Sequence, residues 1–277
     1  MQYIFLSHDV DWRRQGPSIE HVLSRKDRFD VELFEKTKLE DLYRNIPEYM
    51  ELEEKFGIRS TFFFRTFYEN GDVLDYEDDI KQLHKSNWEI GLHTDPTSVD
   101  NLEKIQKEKE KLESITGKQI IGNRVHYLNY NSGLPEKLAK LGFSYDSSLR
   151  YSKDRIDDKE MGYSRINGII EFPVTLMDAY LFTYMKIQED KIIPEFQKTL
   201  DLGRSLSENN VISVLWHDNV LKMKGGRMYK QILEFLTSQD DVEIKRGTDL
   251  VKIFSQKKNI VLKKEKKMNV SSILMFC

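Results

Sequence analysis

The sequence predicts an α/β protein built on a mostly parallel sheet or barrel, and three observations support this. Short apolar runs rich in β-branched and aromatic residues alternate along the chain with segments of helical periodicity. The runs are largely apolar throughout, as expected for strands covered on both faces. Polar clusters follow directly after several runs, and in parallel barrels functional groups gather at the carboxyl ends of the strands.

The predicted elements alternate from the first residues to the last quarter of the chain. Strands are predicted over 2–8, 59–64, 88–93, 119–124, 169–175 and 211–217, with a short last strand over 242–244. Helices are predicted over 35–56, 76–86, 98–115, 133–141, 190–209, 226–238 and 248–256. Thr97 and Ser98 are predicted to begin the third helix, and Gly117 to end it.

The domain organisation is predicted to be simple. Without a low-complexity linker or repeat, residues 1–256 are expected to form a single domain. Segment 12–34 lacks a clear period and directly follows the first strand, so we expect a substrate-contacting loop there. Segment 257–277 is lysine-rich with an apolar end, which predicts a flexible tail or, alternatively, a short peripheral membrane contact.

Composition excludes several classes of protein. The 277 residues carry a net charge of only −3, with no long basic stripe of the kind that binds nucleic acid. Cys277 is the single cysteine, so no intramolecular disulfide can form. The N-terminus does not resemble a signal peptide, and no apolar run reaches the ~18–20 residues of a membrane helix. We therefore expect a cytoplasmic protein without a transmembrane segment.

The first strand runs directly into two carboxylates, Asp9 and Asp11. On an extended backbone these two side chains would share one face. Together with histidine nitrogens they could hold a divalent ion, which lowers the pKa of bound water to about 7. One carboxylate would then bind the ion and the other act as a base. The alternative is structural: Asp11 begins a turn, and Asp9 pairs with Arg124.

Other polar residues follow later strands in the same way. His93 is a candidate metal ligand, with Thr94 and Asp95 beside it to fix the ring. His217 could donate a proton to a leaving group, with Asp146 orienting it.

The remaining histidines and aromatic residues receive less specific assignments. His21 and His84 lie in polar stretches and are expected at the surface. Trp12, Tyr127 and Trp216 flank the polar clusters, where their rings could stack on a sugar or could simply pack against the protein.

Four short motifs occur in an order that resembles the NodB-like polysaccharide deacetylases. They are the first, second, third and fifth motifs, namely Ser7-His8-Asp9-Val10-Asp11, Leu92-His93-Thr94, Arg124-Val125-His126-Tyr127 and Leu215-Trp216-His217. The resemblance covers roughly residues 1–250. It implies a distorted (β/α) barrel of about seven parallel strands and a metal-dependent hydrolase.

The resemblance also implies a role for each matching residue. Asp9 would be the general base, steadied by Arg124. Asp11 and His93 would be metal ligands, and the backbone amide of Tyr127 would help to bind the oxyanion. Asp146 resembles a fourth-motif carboxylate, and His217 would be the general acid.

This chain departs from the family pattern at one position. The second motif usually supplies another histidine four residues after His93, where this chain has Thr97. His126 stands where the third motif usually has proline, which makes it the first candidate for the missing ligand. His8 is the second candidate.

The resemblance implies removal of an N- or O-acetyl group from an amino sugar or a surface-polysaccharide precursor. The ion would be zinc, with cobalt, nickel or iron as alternatives. A second hypothesis is a catalytically degenerate sugar-binding protein on the same barrel, because Thr97 weakens the metal site. A glycosyltransferase using Asp9-Val10-Asp11 is disfavoured, because almost no chain precedes the motif to bind a nucleotide.

Overall fold

The structure is a computed structural model that describes residues 1–207 and 210–255. Its strands are β1 (Gln2–Val10), β2 (Thr61–Phe64), β3 (Phe67–Tyr68), β4 (Gly71–Asp72), β5 (Glu89–Thr94), β6 (Gly122–Val125), β7 (Tyr145–Asp146), β8 (Ser164–Ile166), β9 (Ile169–Glu171), β10 (Val174–Met177), β11 (Asn210–Leu215) and β12 (Val242–Lys245). Its helices are α1 (Ile19–Leu23), α2 (Val31–Lys36), α3 (Ile46–Lys55), α4 (Glu77–Lys85), α5 (Leu102–Thr116), α6 (Leu134–Lys140), α7 (Asp178–Thr183), α8 (Glu189–Leu206) and α9 (Tyr229–Thr237). Residues 247–255 are also helical.

Ten of these strands form one curled sheet. Their order is β10-β11-β1-β2-β5-β6-β7-β9-β8, and β12 also pairs with β1. All pairings are parallel except that between β8 and β9. Only Phe172 and Pro173 separate β9 from β10, although β10 is at one edge and β9 is next to the other. The two edges therefore lie side by side, and the sheet is rolled into a distorted barrel.

The predicted α/β fold class is confirmed, and the strand count was too low. The predicted strand 169–175 is two strands, β9 and β10, separated at Pro173, which has no N–H to donate to a ladder. The two-residue β7 and the short β8 carry too little apolar pattern to be recognised from sequence.

The predicted helix 35–56 is interrupted. α2 ends at Lys36, and α3 begins at Ile46 with Pro47 in its first turn. The apolar residues between them, Leu42 and Tyr43, pack instead against Val22 and Phe29. The apolar residues of this stretch have helical spacing, but burial of Leu42 and Tyr43 against Val22 and Phe29 favours a non-helical backbone there.

Segment 12–34 is more ordered than predicted, because it contains α1 and most of α2. It still borders the barrel opening. The prediction of a loop without regular structure was therefore wrong, and Trp12, Gly16 and His21 of this segment line a cavity.

The boundaries of α5 differ at one end only. The helix begins at Leu102, where the Asn101 side chain accepts a hydrogen bond from the Lys104 amide, so Thr97 and Ser98 lie before it in a 3-10 turn. Gly117 ends the helix in the left-handed conformation, φ 64°, as predicted.

β1 organises the interior because its side chains alternate between two cores. Ile4 and Leu6 face the helices in the large outer core. Phe5 faces the barrel interior, where it packs with Phe63 and Tyr145. Phe5, Phe63 and Tyr145 form what we call the aromatic floor of the barrel. Continuing the alternation of β1, Asp9 points into the barrel above this floor, and His8 points outward.

The predicted tail 257–277 lies outside the described residues, as does the end of the predicted helix 248–256. Among the helices of residues 1–207 and 210–255, none is long and apolar enough to cross a membrane.

The aromatic floor requires glycine at neighbouring strands, which gives a stability prediction. A Cβ on Gly122 would overlap the ring of Tyr145, which is fully buried. A Cβ on Gly133 would meet the flexible end of Lys137 at 3.3 Å and Asn131 Oδ1 at an ordinary contact distance of 3.5 Å. Gly122→Ala should therefore lower the free energy of unfolding by about 1–3 kcal/mol. Gly133→Ala should change it by less than about 0.5 kcal/mol. Urea unfolding measures both, and equal effects would contradict this packing.

Candidate active site

The carboxyl ends of several strands bring the candidate residues together at one end of the barrel. Asp11 directly follows β1, and His126 directly follows β6. His93 is the penultimate residue of β5, and His217 follows β11 by two residues. Parallel strands present their carboxyl ends at the same rim, so residues far apart in sequence converge there.

Three potential ligand atoms form a nearly equilateral triangle. His93 Nε2 and His126 Nδ1 each lie 3.2 Å from Asp11 Oδ1 and 3.2 Å from one another. Ligand atoms around a tetrahedral zinc ion are separated by roughly 3.3 Å, given metal–ligand bonds of about 2.0–2.1 Å. Asp11 Oδ1 is buried without a hydrogen bond of acceptable geometry, which is unfavourable unless another partner satisfies it. These residues fit a divalent ion.

The histidine rings are oriented for this role. His93 Nδ1 lies 3.0 Å from the Arg124 carbonyl oxygen, which can only accept a hydrogen bond. The ring proton is thus placed on Nδ1, and the lone pair of Nε2 faces Asp11. Burial lowers the pKa of His126, which favours the neutral ring that a metal requires.

The Asp11 carboxylate is held in its ionised form. Burial alone raises the pKa of a carboxyl group, but contacts with the rings of His126 and His93 outweigh it and hold the pKa of Asp11 well below its ordinary value. An ionised oxygen facing two imidazoles is the donor set expected of a metal site.

Asp9 is held by Arg124 in the dry interior, as expected from the sequence. Arg124 Nη1 donates to Asp9 Oδ1 at 2.8 Å and to Ser7 Oγ at 2.9 Å, and the Arg124 side chain is fully buried. Ser147 accepts two further hydrogen bonds from the guanidinium. The other Asp9 oxygen lies 3.5 Å from His93 Nε2, so one carboxylate oxygen is anchored and the other faces the candidate metal centre.

His217 is oriented by Asp178, which the sequence analysis did not identify. His217 Nδ1 lies 2.6 Å from Asp178 Oδ1, and the backbone N–H of His217 donates to Asp178 Oδ2 at 2.8 Å. Burial disfavours the charged ring, but the Asp178 carboxylate outweighs this and raises the pKa of His217 to about 10. His217 Nε2 faces Asp11 Oδ2 at 3.5 Å.

The prediction that Asp146 orients His217 was wrong. Asp146 is fully buried in β7 and accepts hydrogen bonds from Asn123 and Ser148. Burial raises the pKa of Asp146 and of its neighbour Glu171. Asp178 begins α7 directly after β10, so the rule used for the other candidates, a polar residue after an apolar run, could have found it.

Of the two candidates to replace the missing ligand, the structure places only His126 beside Asp11. His8 points away from the site, with Nδ1 2.6 Å from the Trp216 carbonyl and Nε2 2.8 Å from Glu53 Oε1. Thr97 is exposed and hydrogen-bonds to Asp95. The second candidate, His8, was wrong because strand alternation turns it outward.

The three aromatic candidates have different surroundings. Trp216 is fully buried, and its indole N–H donates to the Gly226 carbonyl, so the prediction of a sugar contact there was wrong. Tyr127 is 81% exposed with a left-handed backbone, φ 60°, and its ring lies 3.8 Å from that of His126. Trp12 is half-buried and lies between two cavities.

Two cavities of about 390 Å³ each meet at Asp11 and Trp12. Tyr127 and His126 line one cavity, and His217 lines the other. His21 also lines the first cavity, with its ring 4.4 Å from that of Trp12. His21 is therefore at the surface, as expected, but it borders the candidate site, whereas His84 lines a separate cavity with Trp88 and Glu89.

Comparison with known proteins identifies the fold. No protein-family model matches the chain, and a search of curated protein sequences finds no significant match. A structure from Mycobacterium smegmatis, described as a candidate polysaccharide deacetylase, shares 19% identity over 93% of this chain and 91% of that chain, with a TM-score of 0.64. A PuuE allantoinase shares 16% identity over 91% and 89% of the two chains, also with a TM-score of 0.64.

A third structure, from Pseudomonas aeruginosa PAO1 and likewise described as a candidate polysaccharide deacetylase, shares 15% identity over 91% and 90% of the two chains, with a TM-score of 0.64. The chain therefore has the NodB-like polysaccharide deacetylase fold, which confirms the fold prediction. Because an allantoinase has the same fold, function must be argued from the site.

The triangle of ligand atoms predicts stoichiometric metal binding. The purified protein should take up about one equivalent of zinc, and His126→Ala, His93→Ala and Asp11→Ala should each reduce uptake at least tenfold, since a three-residue site cannot lose a ligand without losing affinity. His84→Gln, remote from the site, is the matched control and should retain the ion. Elemental analysis after dialysis measures the content, and a fully loaded His126→Ala protein would contradict the assignment.

Proposed function

We propose that this protein is a metal-dependent carbohydrate deacetylase that hydrolyses an N- or O-acetyl group of an amino sugar or of a surface-polysaccharide precursor. The triangle of Asp11, His93 and His126 carries the proposal, because it places a candidate ion site between a buried carboxylate and a histidine–aspartate pair. The shared fold supports the reaction class.

The proposed ion is zinc, with cobalt, nickel or iron as alternatives, held by Asp11, His93 and His126. When bound, such an ion supplies a Lewis acid that polarises the acyl carbonyl and acidifies water. The residues around it would divide the proton transfers between them.

Asp9 is the proposed general base. Arg124 binds one of its oxygens, so the other is left to accept a proton from the attacking water. Asp11 would not serve as base because its carboxylate faces both candidate ligand histidines.

His217 is the proposed general acid. Its high pKa keeps the ring protonated near neutral pH. His217 lines a cavity, with Nε2 facing Asp11 and with Nδ1 held by Asp178. The ring can therefore give a proton to the leaving nitrogen or oxygen of the sugar. The backbone amide of Tyr127 is proposed to contribute to the oxyanion site.

The cavities suit a sugar. Trp12 lies where the two cavities meet, and the exposed Tyr127 ring borders the first. Aromatic faces at such positions can stack on the apolar face of a pyranose ring. Trp216 is excluded from this role by its burial.

The proposal is tested by acetate release. The zinc-loaded protein should liberate acetate from N-acetylated amino sugars or their oligomers, and chelation should abolish turnover, with recovery after zinc is restored. Binding of sugar by a fully loaded protein without acetate release would favour the degenerate sugar-binding hypothesis instead.

Asp9→Asn should retain metal and lose activity. The amide keeps the side-chain shape but cannot take a proton, so kcat should fall by about 10²–10⁴. Metal content and kcat measured on the same preparation separate the role of Asp9 from that of Asp11. Near-normal kcat in Asp9→Asn would remove it as the base.

Asp178 and Asp146 give a matched pair of buried carboxylates. Asp178→Asn should lower kcat at least tenfold, because it releases the Nδ1 contact that orients His217. Asp146→Asn should mainly affect stability, since Asp146 contacts Asn123 and Ser148. Steady-state kinetics and thermal unfolding of both variants measure this, and the reverse pattern would restore Asp146 as the orienting residue.

A further inference from the structure

Three successive backbone carbonyls around His217 each accept a hydrogen bond from a fully buried side chain. His8 Nδ1 lies 2.6 Å from the Trp216 oxygen. Tyr49 donates its hydroxyl proton to the His217 oxygen at 3.0 Å, and Asn45 donates its amide proton to the Asp218 oxygen at 3.0 Å. All three donor residues are 0% exposed.

These donors come from β1 and from the beginning of α3. His8 lies on the outward face of β1, Tyr49 lies in the first turn of α3, and Asn45 directly precedes that helix. The segment 216–218 could have used water to satisfy its carbonyls, as loops near a barrel opening usually can. It is instead held by rigid elements of the fold.

Glu53 of α3 fixes His8 from its other side. Its Oε1 lies 2.8 Å from His8 Nε2 and accepts the Tyr229 hydroxyl at 2.8 Å, and its Oε2 accepts the Trp88 indole N–H at 2.6 Å. Ser60 adds backbone and hydroxyl hydrogen bonds to the same carboxylate. Because Glu53 is fully buried with many donors, it is a rigid anchor for the His8 ring.

The contacts of His217 leave one group free to act. Its backbone N–H and Nδ1 bind the two oxygens of Asp178, and its backbone carbonyl binds Tyr49. Nε2 alone is directed toward Asp11, at 3.5 Å. Asp178 fixes the rotation of the His217 ring. The hydrogen bonds from His8, Tyr49 and Asn45 fix the position of the backbone at residues 216–218, and together these contacts determine where Nε2 lies.

We propose that His8, Asn45 and Tyr49 are positioning residues for the proton donor His217. This inference rests on the proposed function, in which His217 delivers a proton to the leaving group. Displacing a catalytic group by a fraction of an ångström lowers turnover more than substrate binding, because the contact it makes strengthens in the transition state.

Tyr49→Phe tests this with the loss of one oxygen atom. We expect kcat to fall about three- to tenfold, the range for one neutral hydrogen bond, with KM and zinc content unchanged. Tyr145→Phe is the matched control: Tyr145 is also fully buried, and its hydroxyl donates to Glu89 at 3.0 Å in the barrel floor. It should lose comparable stability and keep the wild-type kcat.

A second variant and a double mutant make the test specific. Asn45→Asp keeps the side-chain shape but replaces the donor to Asp218 with an acceptor, and should lower kcat in the same way. In a His217→Ala background, Tyr49→Phe should cause no further loss, because the two residues act through one group. Additive losses would overturn the proposal.

A readout independent of activity separates this inference from the proposed function. In protein labelled with ¹⁵N-histidine, the His217 ring resonances should shift in Tyr49→Phe and stay unchanged in Tyr145→Phe. If no substrate is turned over, the proposed function fails while this comparison still stands. Unchanged His217 resonances in Tyr49→Phe would overturn the positioning role whatever the activity.

Discussion

The site depends on a guanidinium enclosed in the barrel interior. Arg124 is fully buried, and burying a charge is unfavourable unless it is paired and hydrogen-bonded. Here Asp9 supplies the countercharge, and Ser7 and Ser147 supply neutral acceptors. The arginine lies 4.5 Å from the Phe63 ring, above the aromatic floor. This arrangement fixes Asp9 at the boundary between a dry interior and the open cavities.

The sequence predicted the fold class and most of the site because strand ends leave a local signal. An apolar run followed by Asp11, His93 or His217 can be read from a few residues. Asp178 followed the same rule and was missed, because its strand was merged with the preceding one across Pro173. Pairings between the ends of neighbouring strands, such as Asp178 with His217 rather than Asp146, depend on the order of strands in the sheet. Local sequence patterns do not specify that order.

The errors at aromatic and histidine positions have a common cause. Trp216 and His8 stand beside functional residues in the chain, but alternation along a strand turns neighbours to opposite faces. Both face the outer core, where Trp216 packs against Phe182 and His8 packs against Tyr49. Proximity in sequence correctly placed both residues at the carboxyl ends of the strands, but it did not show that their side chains face the outer core and not the site. The family motif places the second histidine ligand at the position of Thr97, after β5. In this chain His126, which follows β6, lies beside Asp11 instead.

Asp11, His93 and His126 come from the ends of three separate strands, β1, β5 and β6, so an ion held by them would tie together parts of the sheet that are distant in the chain. These three side chains are not held together in the unfolded chain, so an ion would bind the folded protein more tightly. Ion binding would therefore raise the free energy of unfolding. By mass action, a free ion concentration a thousand times its dissociation constant contributes about 4 kcal/mol. The same three side chains would then act as a reversible cross-link, and the heat tolerance of the protein would follow the supply of its cation.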